Sequence, residues 1–317
     1  MSYNRIKGYF YFQTGNNVQI GDLKKIVHLA QTTSIQKSAL ALNITPGALS
    51  KTLKKIEHKL CTSLFDRTGR NIVLNGQGKK FIVYAVQLIH DYEQMCSEFT
   101  DNSVKSKIKL TGPSVLLGAS LAKIAPMLVT KNIELSIETQ YEGDAIKQLV
   151  SGGCHLAVIT EEALVEVKNF ALQYVFLGAT RSKVIAAPQH ALFNQFPDGK
   201  VSLKTLLEFG FICPKTSPFC GAVQGVGSDG WQDHIHPRKI IYRSDDLNSL
   251  LAMVSQGNAL AYVPDTVINR ESVTAIDISS ITLDYQERYY LVYRASTADG
   301  WLNQLITKLK EVKVSSR

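Results

Sequence analysis

The sequence predicts a protein of α/β class with a small all-α module in front of it. Apolar residues repeat at helical spacing through the first hundred residues, whereas strand-like and helix-like segments alternate from about residue 107. The excess positive charge lies almost entirely in the first hundred residues. Residues 1–100 carry 13 Lys/Arg and 6 Asp/Glu, whereas the remainder carries 22 Lys/Arg and 21 Asp/Glu. A chain of 317 residues exceeds the usual limit for one core, so two or more modules are expected.

The composition excludes several classes of protein. With 45% hydrophobic and 20% charged residues, the chain is expected to fold. The longest apolar runs, such as residues 81–86, fall short of the roughly 20 needed to span a membrane, and no signal peptide is recognisable. The five cysteines are odd in number and lack a CxxC pair, which indicates reduced thiols in a cytoplasmic protein.

The first helix is predicted by the spacing of Leu23, Ile26, Val27 and Ala30, with Asp22 as its N-cap. A short second helix follows from Ser34 to Leu42.

The chain then turns at Asn43, and the third helix begins with Thr45 as N-cap and Pro46 as first helical residue. The apolar stripe of the third helix consists of Leu49, Leu53, Ile56 and Leu60. Its opposite face carries Ser50, Lys51, Lys54 and Lys55.

Two short helices with a tight turn and a basic outer face are typical of a DNA-binding helix-turn-helix. The alternative is a solvated basic helix. Residues 64–74 predict a β-hairpin wing, with Arg67 and Arg70 against phosphates. The expected DNA-binding residues are Ser34, Thr45, Pro46, Gly47, Ser50, Lys51, Lys54, Lys55, Arg67 and Arg70.

Residues 23–78 resemble the DNA-binding domain of the LysR-type transcriptional regulators. The residues in register with the family pattern are Thr33, Ser34, Ser38, Ala39, Leu42, Ser50, Leu53, Ile56, Glu57, Leu64, Phe65, Arg67, Leu74 and Gly78. The chain departs from the pattern at Pro46-Gly47, where the family often has Gln-Pro, and at Asn75, where it has Thr. Because Gln reads adenine through two hydrogen bonds, a chain without it lacks this base contact of the family.

Residues 77–99 predict a long helix with apolar residues at intervals of four and three. Packing against its own module is one interpretation, but the resemblance favours pairing, because family members dimerise through a helix here. A homodimer and a dimer of dimers are therefore expected. The predicted seam consists of Phe81, Ala85, Leu88, Tyr92 and Met95, and Phe99 continues it.

From residue 107 onward the alternation predicts two α/β subdomains with a cleft between them. Separate strands are expected near Tyr174–Leu177 and Lys183–Ala187, and a last strand at Gln286–Tyr293. The resemblance implies a two-lobed effector domain built like a periplasmic binding protein. Ligands of open α/β sheets sit beyond the carboxyl ends of strands, and Ser114 is placed there to cap a helix whose N-terminus favours an anion. The expected effector-binding residues are Thr111, Ser114, Thr160, Lys215 and Thr216.

Two sharper hypotheses concern small clusters. Cys213 and Cys220 could form a redox switch, and His234 and His236 with Asp233 could bind a metal ion. A cysteine within a strand is expected to be buried, and the two histidines lack further ligands at metal-binding spacing, so no metal or cofactor is expected. Nucleophile and phosphate-loop motifs of enzymes are absent from the sequence, so a catalytic role is not expected either.

The predicted domains are an extension (1–20), a winged helix-turn-helix (21–76), a dimerising linker helix (77–101) and an effector-binding domain (107–317). The predicted function is a transcriptional regulator that binds double-stranded DNA under control of a small, anionic effector, with RNA polymerase as a further partner. The alternatives are a small-molecule binding protein or enzyme on the same fold, and a DNA-binding protein controlled by a partner.

Overall fold

The computed structural model describes residues 18–68, 71–99, 106–128, 133–168, 170, 172–222, 225, 227–268, 272–278, 286–294 and 301–314. The chain divides into two compact units, residues 1–99 and 100–317. Within the described residues, no helix has the length and apolar character that crossing a membrane requires. The predicted extension, residues 1–20, lies outside this part except for its last three residues.

The first unit contains four helices and a β-hairpin in its described part. Its elements are α1 (Ile20–Thr32), α2 (Ile35–Ala41), α3 (Pro46–Leu60), β1 (Phe65–Thr68), β2 (Asn71–Leu74) and α4 (Gly76–Phe99). Strands β1 and β2 pair antiparallel, as the predicted wing requires. The long helix α4 belongs to this unit and begins one residue before the predicted start.

The start of α1 differs from the prediction. Gln19 is the N-cap, and Asp22 occupies the third helical position, where its carboxylate accepts a hydrogen bond from the Gln19 backbone N–H at 3.3 Å. The two residues thus form a capping box, which satisfies free N–H groups at both positions. Asp22 is therefore not the N-cap; an acidic residue suits either place, and the sequence pattern does not separate them.

The starts of α2 and α3 are confirmed as predicted. The Ser34 hydroxyl accepts from the Lys37 N–H at 3.4 Å, and the Thr45 hydroxyl accepts from the Ala48 N–H at 3.1 Å. Asn43 takes the turn with a φ of 52°. Asn adopts the left-handed region more readily than most other residues with a side chain, so it suits this turn.

The core of the first unit is formed by residues from all four helices and the wing. Its buried members include Ile26, Leu29, Leu49, Ile56 and Ile82. Leu60 was predicted to continue the apolar stripe of α3, but it is 46% exposed, because the last turn of α3 extends beyond this core.

Leu64 joins α3, the wing and α4. Its N–H donates to a Glu57 carboxylate oxygen at 2.7 Å, and its carbonyl accepts from the Asn75 N–H at 3.1 Å. Gly78 lies so close that a Cβ at that position would come within 2.0 Å of the Leu64 carbonyl oxygen. Only glycine fits here, which gives a physical reason for this residue after the wing.

The second unit contains eleven strands in its described part. They are β3 (Ser106–Gly112), β4 (Ile133–Thr139), β5 (Leu156–Thr160), β6 (Leu172–Ala186), β7 (Lys200–Val201), β8 (Gly210–Pro214), β9 (Lys239–Ser244), β10 (Ala261–Pro264), β11 (Thr274–Ala275), β12 (Asp277–Ile278) and β13 (Gln286–Arg294). The helices are α5 (Ser114–Leu128), α6 (Glu142–Val150), α7 (Leu164–Val167), α8 (Ala191–Gln195), α9 (Leu203–Leu206), α10 (Leu247–Ser255) and α11 (Trp301–Val314), with a 3-10 turn at Asp265–Val267.

A single strand, β6, connects two lobes. Its residues up to Arg181 pair antiparallel with β13, and those from Ser182 pair antiparallel with β10. The sheet runs in the order β10-β6-β13-β5-β3-β4, and β3 is parallel to both β4 and β5. The second lobe adds the parallel pair β8 and β9. The two predicted strands at 174–177 and 183–187 are thus one strand, shared by both lobes.

The structure gives a matched test of the contact at Leu64. Gly78→Ala should lower the free energy of unfolding of the first unit by about 1–3 kcal/mol, because the new methyl group overlaps a backbone carbonyl. Gly76→Ala, two residues earlier in the same helix, meets nothing within 4 Å and should leave that stability unchanged or slightly raised. Urea unfolding of the full chain, followed through hydrogen exchange of α3 and α4, measures both. Equal stability of the two variants would contradict the close approach.

Candidate functional site

The outer face of α3 is open and basic. Lys51 and Lys54 are exposed, and within the described residues neither forms an ion pair. Pro46 and Gly47 are exposed at the start of the helix. His58, seven residues after Lys51, is exposed in the last turn and was not considered from the sequence. The face therefore carries positive charge that the described residues of the first unit do not neutralise.

Lys55 differs from the expectation that it faces outward. Its Nζ lies 2.9 Å from a carboxylate oxygen of Asp22, and its side chain is 30% exposed. Burial acts to raise the pKa of Asp22, but hydrogen bonds from Lys55 and the Gln19 backbone outweigh it and the pKa is lowered. Lys55 thus ties α3 to α1, and its charge is already paired.

The other predicted DNA-binding residues fall into different environments. Ser34 is half-buried and occupied as the α2 cap, Ser50 is half-buried, and Arg67 is exposed on β1. Arg70 lies outside the described residues.

Helix α4 exposes an apolar stripe that differs in register from the predicted seam. Ala85 is 1% exposed and Phe81 packs on the same core, so both belong to the interior of the first unit. The exposed stripe instead contains Tyr84, Leu88, Tyr92 and Met95, with Tyr84 the most open at 71%. Phe99 lies at the end of α4, and its side chain is not described.

The second unit contains a cleft of about 730 Å³ at the carboxyl ends of its strands. This is where the strand-end rule for α/β sheets places a ligand. The lining is formed by Pro113, Ser114, Val115, Thr139, Gln140, Tyr141, Asp144, Pro214, Thr216, Pro218, Asp229, Ser244, Asp245, Asp246, Leu247, Asn248, Leu250, Tyr262, Val263 and Pro264.

The cleft brings together two of the five predicted effector-binding residues, Ser114 and Thr216. The Thr216 hydroxyl lies 3.1 Å from the Tyr141 hydroxyl across the cleft lining. Thr111 and Thr160 do not line it, since both are buried inside the sheet. Lys215 is not a lining residue, but its Nζ lies 3.6 Å from the carboxylate of Asp245, which does line the cleft.

Ser114 is the first residue of α5 and not its cap. The Pro113 carbonyl accepts from the Leu116 and Leu117 N–H groups, both at 3.0 Å. The first N–H groups of a helix have no partner within it, and the residues that carry these groups in α5, Ser114 and Val115, both line the cleft. The first turn of α5 contains no acidic residue that would offset them.

The charged side chains of the cleft are acidic, which the sequence interpretation missed. Four aspartates line it, namely Asp144, Asp229, Asp245 and Asp246, and no Lys, Arg or His of the described residues does. Asp246 accepts from the Ser249 N–H at 2.7 Å as the α10 cap, whereas Asp144 and Asp245 are exposed partners of surface lysines. The side chains of the cleft therefore do not favour a simple anion.

Asp229 belongs to a buried ionic cluster behind the cleft. Both of its oxygens accept from Arg238, at 2.7 and 2.9 Å, and Asp233 accepts from the same guanidinium at 2.8 and 2.9 Å. The guanidinium stacks over Trp231 at 5.0 Å and Phe211 at 5.4 Å. Asp233 is thereby occupied and is not available to the metal site considered with His234 and His236. Among the described residues, no group of three His, Cys, Asp or Glu could hold a metal ion.

The two cysteines considered as a redox switch differ in environment. Cys213 is buried, and burial raises the pKa of its thiol to about 12, whereas Cys220 is exposed. A reactive cysteine needs an accessible thiolate near neutral pH. Cys213 does not meet that requirement, and its side chain packs in the core of the second lobe.

A helix-turn-helix unit followed by a two-lobed unit with a cleft defines the architecture of a ligand-responsive regulator. Residues 20–79 match the family described as "Bacterial regulatory helix-turn-helix protein, lysR family", and residues 127–312 match the "LysR substrate binding domain". The second match alone spans more than half of the chain. The protein belongs to the LysR family.

The chain is also similar in sequence to a known regulator and in fold to two solved structures. The regulator IlvY of Escherichia coli (strain K12) is 26% identical over 154 residues, which is 44% of this chain and 49% of IlvY. The match thus spans about half of that relative's length. The structure of ArgP from Mycobacterium tuberculosis has a TM-score of 0.63 at 14% identity, covering 94% of this chain and 98% of ArgP. LysG from Corynebacterium glutamicum, solved with bound effector Arg, has a TM-score of 0.60 at 14% identity, covering 94% and 99%. Both structures share the fold of this chain.

Proposed function

We propose that this protein is a transcriptional regulator that binds specific double-stranded DNA through α3 and a small-molecule effector in the cleft. It acts in the cytoplasm by binding and not by catalysis, as a homodimer or dimer of dimers, with RNA polymerase as a further partner. A ligand that favours one arrangement of the lobes shifts the population of the whole regulator, and this is how effector and DNA binding are coupled.

The open basic face of α3 is the observation that carries this proposal. Thr45 and Pro46 fix the start of the helix, Asn43 fixes the turn before it, and Lys51 and Lys54 remain unpaired within the described part of the chain. Charge that is free of internal partners is available to phosphates, whose neutralisation supplies most of the affinity of DNA-binding proteins. Packing on the protein's own core would instead have buried this face.

Charge reversal on α3 tests DNA binding. Lys51→Glu and Lys54→Glu should each weaken duplex binding by at least tenfold at moderate salt, because each replaces an attraction to phosphate with a repulsion. Both side chains are exposed, so folding should be unaffected. Lys204→Glu, at an exposed lysine of the second unit, is the control for net charge. Fluorescence anisotropy with a labelled duplex measures the affinities. Equal affinity of all three variants and wild type would exclude this face.

The effector is proposed to be a zwitterion, such as a small amino acid. This proposal adds a cationic group to the small anionic effector that the sequence predicts. The free N–H groups and positive end of α5 at Ser114 favour a carboxylate. The exposed carboxylates of Asp144 and Asp245 lie in the same lining and favour a cationic group. A dianion would gain the first interaction but would be repelled by the second.

A thermal-shift screen of the full chain tests the effector class with amino acids, simple carboxylates, phosphates and amines. A zwitterion at a hundredfold excess over its Kd should add about 2.7 kcal/mol to the stability of the second unit. Ser114→Pro removes one of the free N–H donors at a first helical position, where proline is tolerated. This variant and Asp144→Asn should each reduce that shift, whereas Asp198→Asn, an exposed aspartate outside the lining, should not. Stabilisation by dianions alone, or an unchanged response of Ser114→Pro, would contradict the assignment.

The dimer is proposed to form through the exposed stripe of α4. Tyr84, Leu88, Tyr92 and Met95 follow each other at intervals of four, four and three residues, so they lie along one side of the helix. This stripe is apolar, and the core of the first unit does not cover it. We therefore assign the dimer contact to this stripe, because Phe81 and Ala85 of the predicted seam pack in the core of the first unit.

Sedimentation velocity of two aspartate variants tests this surface. Leu88→Asp should shift the protein to smaller species, because it would bury an unpaired carboxylate between helices. Val83→Asp is the matched control, since Val83 is 39% exposed on α4 but lies away from the stripe. If Leu88→Asp sediments as wild type does, the stripe does not hold the dimer.

A further inference from the structure

The chemistry available to α3 for reading bases is unusual. In the major groove, Arg or Lys reads guanine, Asn or Gln reads adenine with two hydrogen bonds, and apolar groups contact the thymine C5-methyl. Residues 46–54 contain no Arg, Asn, Gln, Asp or Glu. The two lysines of this segment, Lys51 and Lys54, are flexible point charges that suit phosphates better than a fixed base edge.

The hydroxyl groups of this segment are largely occupied by the helix itself. The Thr45 hydroxyl accepts from the Ala48 N–H at 3.1 Å, and the Thr52 hydroxyl donates to the Ala48 carbonyl at 3.1 Å. Ser50 is half-buried. The helix thus sets the orientation of both threonine hydroxyls, and a single hydroxyl contacts bases of either kind without the two hydrogen bonds that Asn or Gln forms with adenine. Residues 46–54 therefore lack the amide and carboxylate groups that read adenine or cytosine.

The exposed tip of the helix is apolar and small. Pro46, Gly47 and Ala48 are all exposed at its first turn. Above Gly47 the space is open, since a Cβ built there would meet only the Thr45 hydroxyl oxygen, at 4.0 Å. An outside surface can therefore approach the helix backbone more closely here than at any longer side chain.

We infer that this tip reads the C5-methyl groups of thymine, and that Lys51 and Lys54 supply affinity through phosphates. This inference rests on the proposed binding of specific DNA and names the base feature that is read. The apolar surface of Pro46 and Ala48 packs against methyl groups in the major groove, and Gly47 lets them come close. Specificity then depends on groups that thymine has and uracil lacks.

Replacing thymine by uracil in the DNA isolates this contact. A random duplex library, copied either with thymine or with uracil, is selected on the full-length protein, and the enriched thymine site is then resynthesised with uracil. The thymine site should contain defined T·A pairs, and uracil at those positions should weaken binding roughly tenfold. Uracil outside the protected positions should have no effect. Equal affinity for the two forms of the site would overturn the inference.

Two glutamine variants provide the matched control. Gly47→Gln covers the tip with a longer side chain, so the sensitivity to uracil should be lost and an adenine preference can appear. Gly21→Gln changes the second residue of α1, which is the same helical position in another open site, and should retain the sensitivity. Circular dichroism verifies that both variants fold. Unchanged uracil sensitivity in Gly47→Gln would overturn the inference while leaving DNA binding itself intact. Failure to enrich any sequence from the thymine library would overturn the proposed function, and this inference with it.

Discussion

The first unit depends on how the backbone of Leu64 is held from both sides. A carboxylate from α3 binds its N–H, and the chain after the wing binds its carbonyl, while the missing side chain of Gly78 lets α4 pass directly over it. Because buried backbone groups must be paired, these contacts fix where the wing begins and how α4 leaves it. The exposed face of α3 and the exposed stripe of α4 both take their direction from this junction.

In the second unit, one strand provides backbone hydrogen bonds to both lobes. Strand β6 pairs through its first part with one lobe and through its second part with the other, so a continuous ladder of hydrogen bonds joins the lobes. The cleft is lined by residues of both lobes that this strand connects. A ligand that contacts both lobes therefore acts on an element with few ways to rearrange, which favours two discrete states over gradual deformation.

Local signals in the sequence predicted much of this structure. Thr45 with Pro46, Ser34, and Asn43 each act within a few residues, so their roles as caps and turn could be read directly and are confirmed. Strand and helix alternation likewise predicted a two-lobed α/β unit, and the strand-end rule placed the cleft correctly.

Properties set by distant residues could not be read in this way. Lys55 belongs to a basic stripe in sequence, but Asp22, 33 residues away, pairs with it. The seam through Ala85 satisfied a heptad pattern, yet such a pattern does not tell a helix face that packs on its own core from one that packs on a partner. Thr111 and Thr160 lie near strand ends as predicted, but their side chains are buried and do not line the cleft. The acidity of the cleft comes from Asp144 in the first turn of α6 and from Asp229, Asp245 and Asp246 in loops. These residues are far apart in the sequence, and no local pattern brings them together.

The Arg238 cluster has a consequence for how relatives of this protein could diverge. Asp229 is both part of the cleft wall and one of two carboxylates that neutralise a guanidinium that is only 1% exposed. Substituting it would leave a buried charge short of a partner, so a change of ligand preference at this position comes with a loss of stability. Substituting Asp144 or Asp245 should not cause this loss of stability, because both residues and their lysine partners are exposed to solvent. New ligand preferences should therefore evolve at the rim of the cleft while its floor stays fixed.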